Sequence, residues 1–191
     1  MYWFLDHGAD PNARCSQDCT PLSFAVRHAS FSAILALFNR EGAIQHGQLL
    51  HHAAQRELSD RFEVLTFLLE KGGSESINKI MYQDSLEEYL QNMYAGIGTP
   101  LQLAAGEGLL DLVKLLVDKG ADPLIKDPRG KLAIDWALER THADVADFLR
   151  PLSTPSPVRR HDFSDGPGLH FKPMPLADFL AMGGWKAVSH P

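Results

Sequence analysis

Two cysteines in 191 residues are too few for a disulfide-stapled secreted scaffold. The reading that follows is a reducing, intracellular protein, in cytoplasm or nucleus. No apolar run reaches the ~18 residues that a membrane span needs. The apolar start, Met1-Tyr2-Trp3-Phe4-Leu5, lacks a basic flank and meets Asp6 and His7 at once, which is too short for a signal peptide. Positive charge is in deficit: 18 Lys and Arg stand against 24 Asp and Glu, for a net charge of −6. That balance gives no general reason to bind nucleic acid or an anionic membrane. Catalytic signatures are missing too. There is no phosphate-cradling glycine loop, since Gly183-Gly184 lacks a following Lys-Ser/Thr, and no serine lies in a G-x-S-x-G elbow. No cofactor, catalytic residue or metal site is expected.

Hydrophobic residues make up 45% of the chain and charged residues 22%, ordinary proportions for a globular protein. Proline is distributed unevenly. Seven of the 12 prolines lie in residues 151–191. Proline removes a backbone donor and turns its predecessor away from helix. Residues 1–150 are therefore read as the folded body and 151–191 as a mostly irregular tail.

The body repeats itself. Gly8-Ala9-Asp10-Pro11 recurs as Gly120-Ala121-Asp122-Pro123, with weaker copies at Gly42-Ala43 and Gly72-Gly73. Thr20-Pro21-Leu22-Ser23 recurs as Thr99-Pro100-Leu101-Gln102, and Gln48–Ala54 and Leu132–Ala137 fill the same slot. Gly8 to Leu22 spans 14 residues, as does Gly120 to Ile134. The unit is near 33 residues. Thr20 and Thr99 are suited to cap a helix whose first position is proline. The runs at Ile34–Phe38, Val64–Leu69, Leu112–Leu116 and Val145–Leu149 have the i, i+3, i+4 spacing of a second buried helix. Gly8, Gly42, Gly72 and Gly120 are expected to close those helices in the left-handed conformation.

The T-P-L-x-x-A segments and the later G-A-D, linked at this period, resemble the ankyrin repeat. The resemblance implies an all-α ankyrin-repeat solenoid over residues 1–150. It has a partial repeat at 1–19 and repeats at about 20–47, 48–74, 99–131 and 132–150. The second finger is truncated. Residues 75–98 are an insertion in which Ser85 opens a short amphipathic helix through Met93. Insertions of this kind weakly suggest a fungal source. The polar end of the last unit suits a terminal cap. The start inside a repeat leaves Met1–Leu5 without a partner helix. Either the chain is the C-terminal part of a longer repeat protein, or these residues associate with another surface or chain.

The resemblance also implies a non-catalytic protein-interaction module, or scaffold, with contacts on finger tips and inner helices. Transferred position by position, these are Arg14, Ser16, Gln17, Cys19, Arg27 and His28, then Gln55, Arg56, Gly106 and Glu107, then Lys126, Pro128, Arg129, Lys131, Glu139 and Arg140. Seven are Arg or Lys, so the face reads as basic and suited to an acidic or phosphorylated segment. The partner is unidentified. Other readings are an enzyme or small-molecule-binding protein on the same scaffold, with a pocket closed over His51, His52 or Glu107, and a fragment of a larger sensor or scaffold. Cys15 and Cys19 read as ordinary finger thiols, Glu87-Glu88 as a solvated helix face, and Trp136 as core. His51 reads as a residue that bonds the backbone locally. In the tail, Thr154-Pro155 and Ser156-Pro157 resemble proline-directed kinase sites. The apolar segment at 175–182 reads as a short helix that packs on the last repeat, fills part of the groove, or docks on another protein.

Overall fold

The computed structural model describes residues 6–15 and 18–153, which lie within one unit of the chain. The uncapped start, residues 154–191 of the tail and its two kinase-type sites fall outside these residues. Helix formation begins at local signals. Thr20 accepts the amide of Ser23 and Ser23 accepts that of Thr20, so both ends of a capping box are present before α1, Pro21–His28. Thr99 and Gln102 do the same before α6, Pro100–Gly106. In both cases proline occupies the first turn, where its missing N–H has no partner to lose.

Nine α-helices occur among the described residues, and no strand. They are α1, α2 Phe31–Phe38, α3 Leu49–Ala54, α4 Arg61–Glu70, α5 Leu86–Asn92, α6, α7 Leu110–Asp118, α8 Ala133–Glu139 and α9 Ala143–Leu149. Apart from α5 they form antiparallel pairs. The inner members α1, α3, α6 and α8 pack side by side in that order. Ala25, Ala53, Ala54, Ala104, Ala105 and Ala137 are buried between them, small enough for the helices to approach closely. Behind them Ile34 and Leu37, Val64, Leu65 and Leu68, Leu112, Val113 and Leu116, and Val145 and Leu149 complete one continuous core. Phe67 of α4 meets Phe31 and Phe38 of α2 edge-on, at 5.4 and 5.2 Å between centroids, which joins two outer helices.

Gly8, Gly72 and Gly120 adopt positive φ as expected, but Gly42 does not. In the second unit Glu41 takes the left-handed position, φ 66°, and Gly42 is one place later, where its amide bonds Leu37 O. Gly42 thus corresponds to Ala121, whose amide bonds Leu116 O. A Cβ at Gly42 would sit 2.8 Å from Leu37 O, so the close approach, and not the sign of φ, requires glycine there.

Each unit is bonded to the next through its finger. Asn12 donates to Glu41 O and accepts from Ala43 N, and Asn78 donates to Gly120 O and accepts from Asp122 N. Buried Gln102 donates from Nε2 to Ile125 O and Lys131 O, at 2.8 and 3.0 Å. Its Oε1 accepts the Thr99 amide. Replacing Gln102 with Leu keeps the volume and strands these groups, so we expect a loss of about 2–3 kcal/mol. Urea unfolding of the two forms measures it, and a change within error would show that the finger carbonyls are satisfied otherwise.

Candidate functional site

The surface presented by the fingers and inner helices starts from the residues that follow each pair of small side chains. On α1 these are Arg27 and His28. Arg27 is half-buried and donates from Nη1 to Gln55 Oε1 at 3.1 Å, which fixes the guanidinium across two units. The exposed His28 ring lies 5.0 Å from that of Phe24, which is 70% exposed. Arg27, His28, Gln55, Glu57 and Leu58 surround a hollow of about 170 Å³.

Arg56 is a correction to the transferred contact set. It is fully buried and presents nothing to a partner. Its Nη1 donates to Val26 O and its Nη2 to Ala29 O, each at 2.7 Å. Nε and Nη2 also hold the Asp60 carboxylate at 2.7 Å. The side chain therefore caps the C-terminal carbonyls of α1 from the neighbouring unit, where a cation also meets the negative end of the helix dipole. The Arg56 guanidinium holds the Asp60 carboxyl below its ordinary range.

Most of the other cations are also matched. Arg14 pairs with Asp18, Arg129 with Asp127, Lys131 with Glu139, and Arg140 with Glu107. Of the seven basic positions, only Arg27 and Lys126 show no carboxylate partner among the described residues. The uniformly basic face expected from the sequence is thus largely neutralised, because Asp18, Asp60 and Asp127 lie outside the transferred positions yet beside them in space. Asp127 is buried in the last finger. It accepts from the amides of Arg129 and Lys131, the Arg129 guanidinium, and Trp136 Nε1 at 3.0 Å. Arg129 also lies over the Trp136 ring, 5.1 Å from its centroid. Gly106 is buried against that ring, so it presents no contact surface. Pro128 is half-buried, Glu107, Lys126, Glu139 and Arg140 are exposed, and Ser16 and Gln17 lie outside the described residues.

The insertion lies on the finger side. Tyr82 N donates to Gln48 Oε1 and Met81 N to Gly98 O, which ties the segment to the start of α3. Arg14, Asp18, His51, Lys79, Tyr82 and Glu88 are among the residues around a second hollow of about 120 Å³. Burial pushes the Cys19 thiol up, with Cys15, Asp18 and Glu88 adding to it, and raises the Tyr82 hydroxyl. Glu88 is half-buried here, not part of a uniformly solvated face. Ser85 stands at the N-cap of α5 without a side-chain cap bond. Among the described residues no three His, Cys, Asp or Glu converge as metal ligands would.

The ankyrin-repeat family pattern matches residues 98–128. Similar proteins include a probable E3 ubiquitin-protein ligase, XBOS33, of Oryza sativa, 37% identical over 79 residues, covering 41% of this chain and 15% of that protein. Human cyclin-dependent kinase 4 inhibitor B is 43% identical over 56 residues, covering 29% of this chain and 41% of that protein. Human espin-like protein is 38% identical over 61 residues, covering 32% and 6%. Residues 98–128 of this chain are an ankyrin repeat. The chain's matches span from 6% to 41% of these relatives' lengths. Sequence transfer within the ankyrin repeat missed Phe24, Leu58 and Leu138, which are 70%, 42% and 50% exposed. Phe24 was legible as the variable position inside T-P-L-S-F-A, whereas Leu58 sits in a loop without a repeat signature.

His51 also reaches beyond its local backbone. Its Nε2 lies 2.8 Å from Lys79 O, in the next finger, as Gln102 reaches Ile125 and Lys131. Burial pushes the pKa of His51 down to about 4, and burial with the nearby Arg27 charge does the same for His52. The unfolded chain, with His near 6.5, binds protons in this window that the folded ankyrin domain does not. Stability is therefore full above pH 6.5 and falls as pH drops toward 4, by about 1.4 kcal/mol per pH unit per histidine. His51→Gln, which copies Gln102, should remove about one proton from that slope. Urea unfolding across pH 4–7 checks it, and an unchanged slope would assign the titration elsewhere. Arg56→Ala should cost about 3–5 kcal/mol. A loss under 1 kcal/mol in the same assay would refute its capping role.

Proposed function

We propose that this ankyrin-repeat protein is a protein-interaction module whose main contact surface is the inner-helix face around α1 and the α3–α4 loop. The observation that carries the reading is the hollow beside Arg27. It combines a cation held by Gln55, with no carboxylate partner among the described residues, with His28 and the apolar Leu58, and the exposed Phe24 ring lies beside it, 5.0 Å from that of His28. This favours a partner segment that brings an acidic group, carboxylate or phosphate, to Arg27 and an apolar side chain to Phe24. Guanidinium bonds to such anions are among the stronger polar contacts, and a rigid capped helix binds without an ordering cost. Arg14, Cys19, Lys126, Arg129, Lys131, Glu107, Glu139 and Arg140 extend the surface along the fingers and later inner helices. There the charges already paired within the chain serve specificity more than attraction. The curated relatives include a kinase inhibitor and a ubiquitin ligase, so the repeat occurs in proteins of different named activity. That range favours recognition as the common element. The domain spans residues 1–150, in an intracellular compartment, cytoplasm or nucleus. No helix among the described residues is long and apolar enough to cross a membrane.

The test is affinity capture from source-cell extract with the native chain, with Arg27→Glu, with Phe24→Ala, and with a control, Lys114→Glu, on the outer helix α7. A partner retained by the native and control chains and reduced at least tenfold by each inner-face variant is expected, tenfold being about 1.4 kcal/mol. Equal retention by all four would overturn the proposal.

A further inference from the structure

The inserted helix α5 and the turn after it turn several large apolar side chains to solvent. Leu86, Leu90 and Tyr94 follow one another at four-residue spacing and are 74%, 53% and 82% exposed. The half-buried positions are instead Glu88, Tyr89, Asn92 and Met93, and no residue of α5 is fully buried. Glu88 turns toward the first finger, where it borders the hollow shared with Arg14 and acts on Cys19 and Tyr82. The inward side also carries the half-buried Tyr89 and Met93, so the apolar residues of the segment divide between two sides. A seven-residue helix is also marginal without tertiary support. Leu86, Leu90 and Tyr94 are left as an exposed apolar set on the outward side.

Charge restricts what covers it. Residues 83–98 contain Asp84, Glu87 and Glu88 and no Lys or Arg. Lys79 pairs with Asp84, and Glu87 stands exposed beside the ridge, accepting only a 3.2 Å bond from Gln91 among the described contacts. A second copy approaching through the same ridge would bring Glu87 against Glu87, and an anionic bilayer would repel the segment. A complementary surface is apolar along its floor and basic at its rim. Leu86 and Leu90 stand one helical turn apart, about 6 Å of rise, and Tyr94 follows in the turn after α5, a span suited to a short groove.

We propose that α5 and the turn after it form a docking segment, which inserts Leu86, Leu90 and Tyr94 into an apolar, Lys- or Arg-rimmed groove on another protein, and so forms a second interaction surface separate from the inner-helix hollow. The three side chains act as anchors, and Glu87 pairs with the rim. The inner-helix surface can fail its own test without affecting this one, because the two use different residues.

The experiment places the photo-crosslinking residue benzoylphenylalanine at position 90 of the full chain in source-cell extract, with position 62, exposed on α4, as control. The crosslinked peptides are sequenced. We expect capture at position 90 and not at 62, of a peptide from another protein that contains apolar residues and Lys or Arg. We expect Leu86→Glu to reduce that capture at least tenfold and Glu87→Lys at least threefold, with the thermal unfolding midpoint unchanged because both sites are exposed. The proposal is overturned by equal capture at both positions, by crosslinks only to a second copy or to another segment of the same chain, or by capture indifferent to Glu87→Lys.

Discussion

Finger backbone in a repeat stack cannot bond itself completely, and the groups it leaves are buried by the next unit. This constraint explains most of the polar residues in the body. A buried carbonyl without a donor costs about 1–3 kcal/mol, so each junction needs a side chain that reaches across. Asn12 and Asn78 meet the outer edge of two junctions, while His51 and Gln102 meet the inner edge. Arg56 does the same for the end of an inner helix. The residues differ, but the task is one: a donor from one unit for the backbone of its neighbour. Hydrophobic burial makes the units stack, and these bonds hold the register.

Arg56 shows how that constraint limits function. An arginine at a recognition position looks like a ligand contact by analogy, and its sequence neighbour Gln55 is indeed on the inner face. Yet Gln55 and Arg56 point to different places, as adjacent residues at a helix end must. One orients Arg27 and the other is consumed by the carbonyls of α1. The same logic silences much of the charge on the face. Asp127, buried in its finger, holds Arg129 and Trp136 together and so exchanges a free cation for a rigid finger. Among the seven basic positions, Arg27 and Lys126 are then the cations without a carboxylate partner among the described residues, and the proposed recognition turns on Arg27.

Periodicity made the helices and their caps legible. Thr20-Pro21 and Thr99-Pro100 carry their capping boxes, and the i, i+3, i+4 runs point to Ile34, Leu65, Leu112 and Val145, all buried. Less legible was anything set by contacts across units. The left-handed residue of the second unit is Glu41, a shift invisible while Gly42-Ala43 resembled the other copies. Counter-ions such as Asp18 and Asp60 lie near their partners in sequence, at i+4 in each case, but only the fold shows that these pairs form. The target of His51 is 28 residues away and lies in an insertion that the repeat pattern does not describe. Spacing reveals what a unit does to itself, and side-chain length and burial decide what it does to its neighbour.

The insertion follows from the same rule applied where the pattern lapses. A regular finger supplies carbonyls that the inner helix beneath it must meet, and Lys79 O still does so for His51. Asn78 likewise still bonds the next unit. The added residues are therefore anchored at both ends by repeat-type contacts, through Asn78 and Lys79 on one side and the bond from Met81 to Gly98 on the other. Between those anchors the chain is free of the stacking constraint. No residue of α5 is fully buried, and among the described residues its two leucines stay exposed. An element released from internal duty in this way can vary its outward side chains without disturbing the stack. The inner helices cannot, because each of their faces but one is already committed to a neighbour. The two surfaces differ for that reason: one is a narrow polar set on a fixed frame, and the other is an apolar ridge on an appended helix.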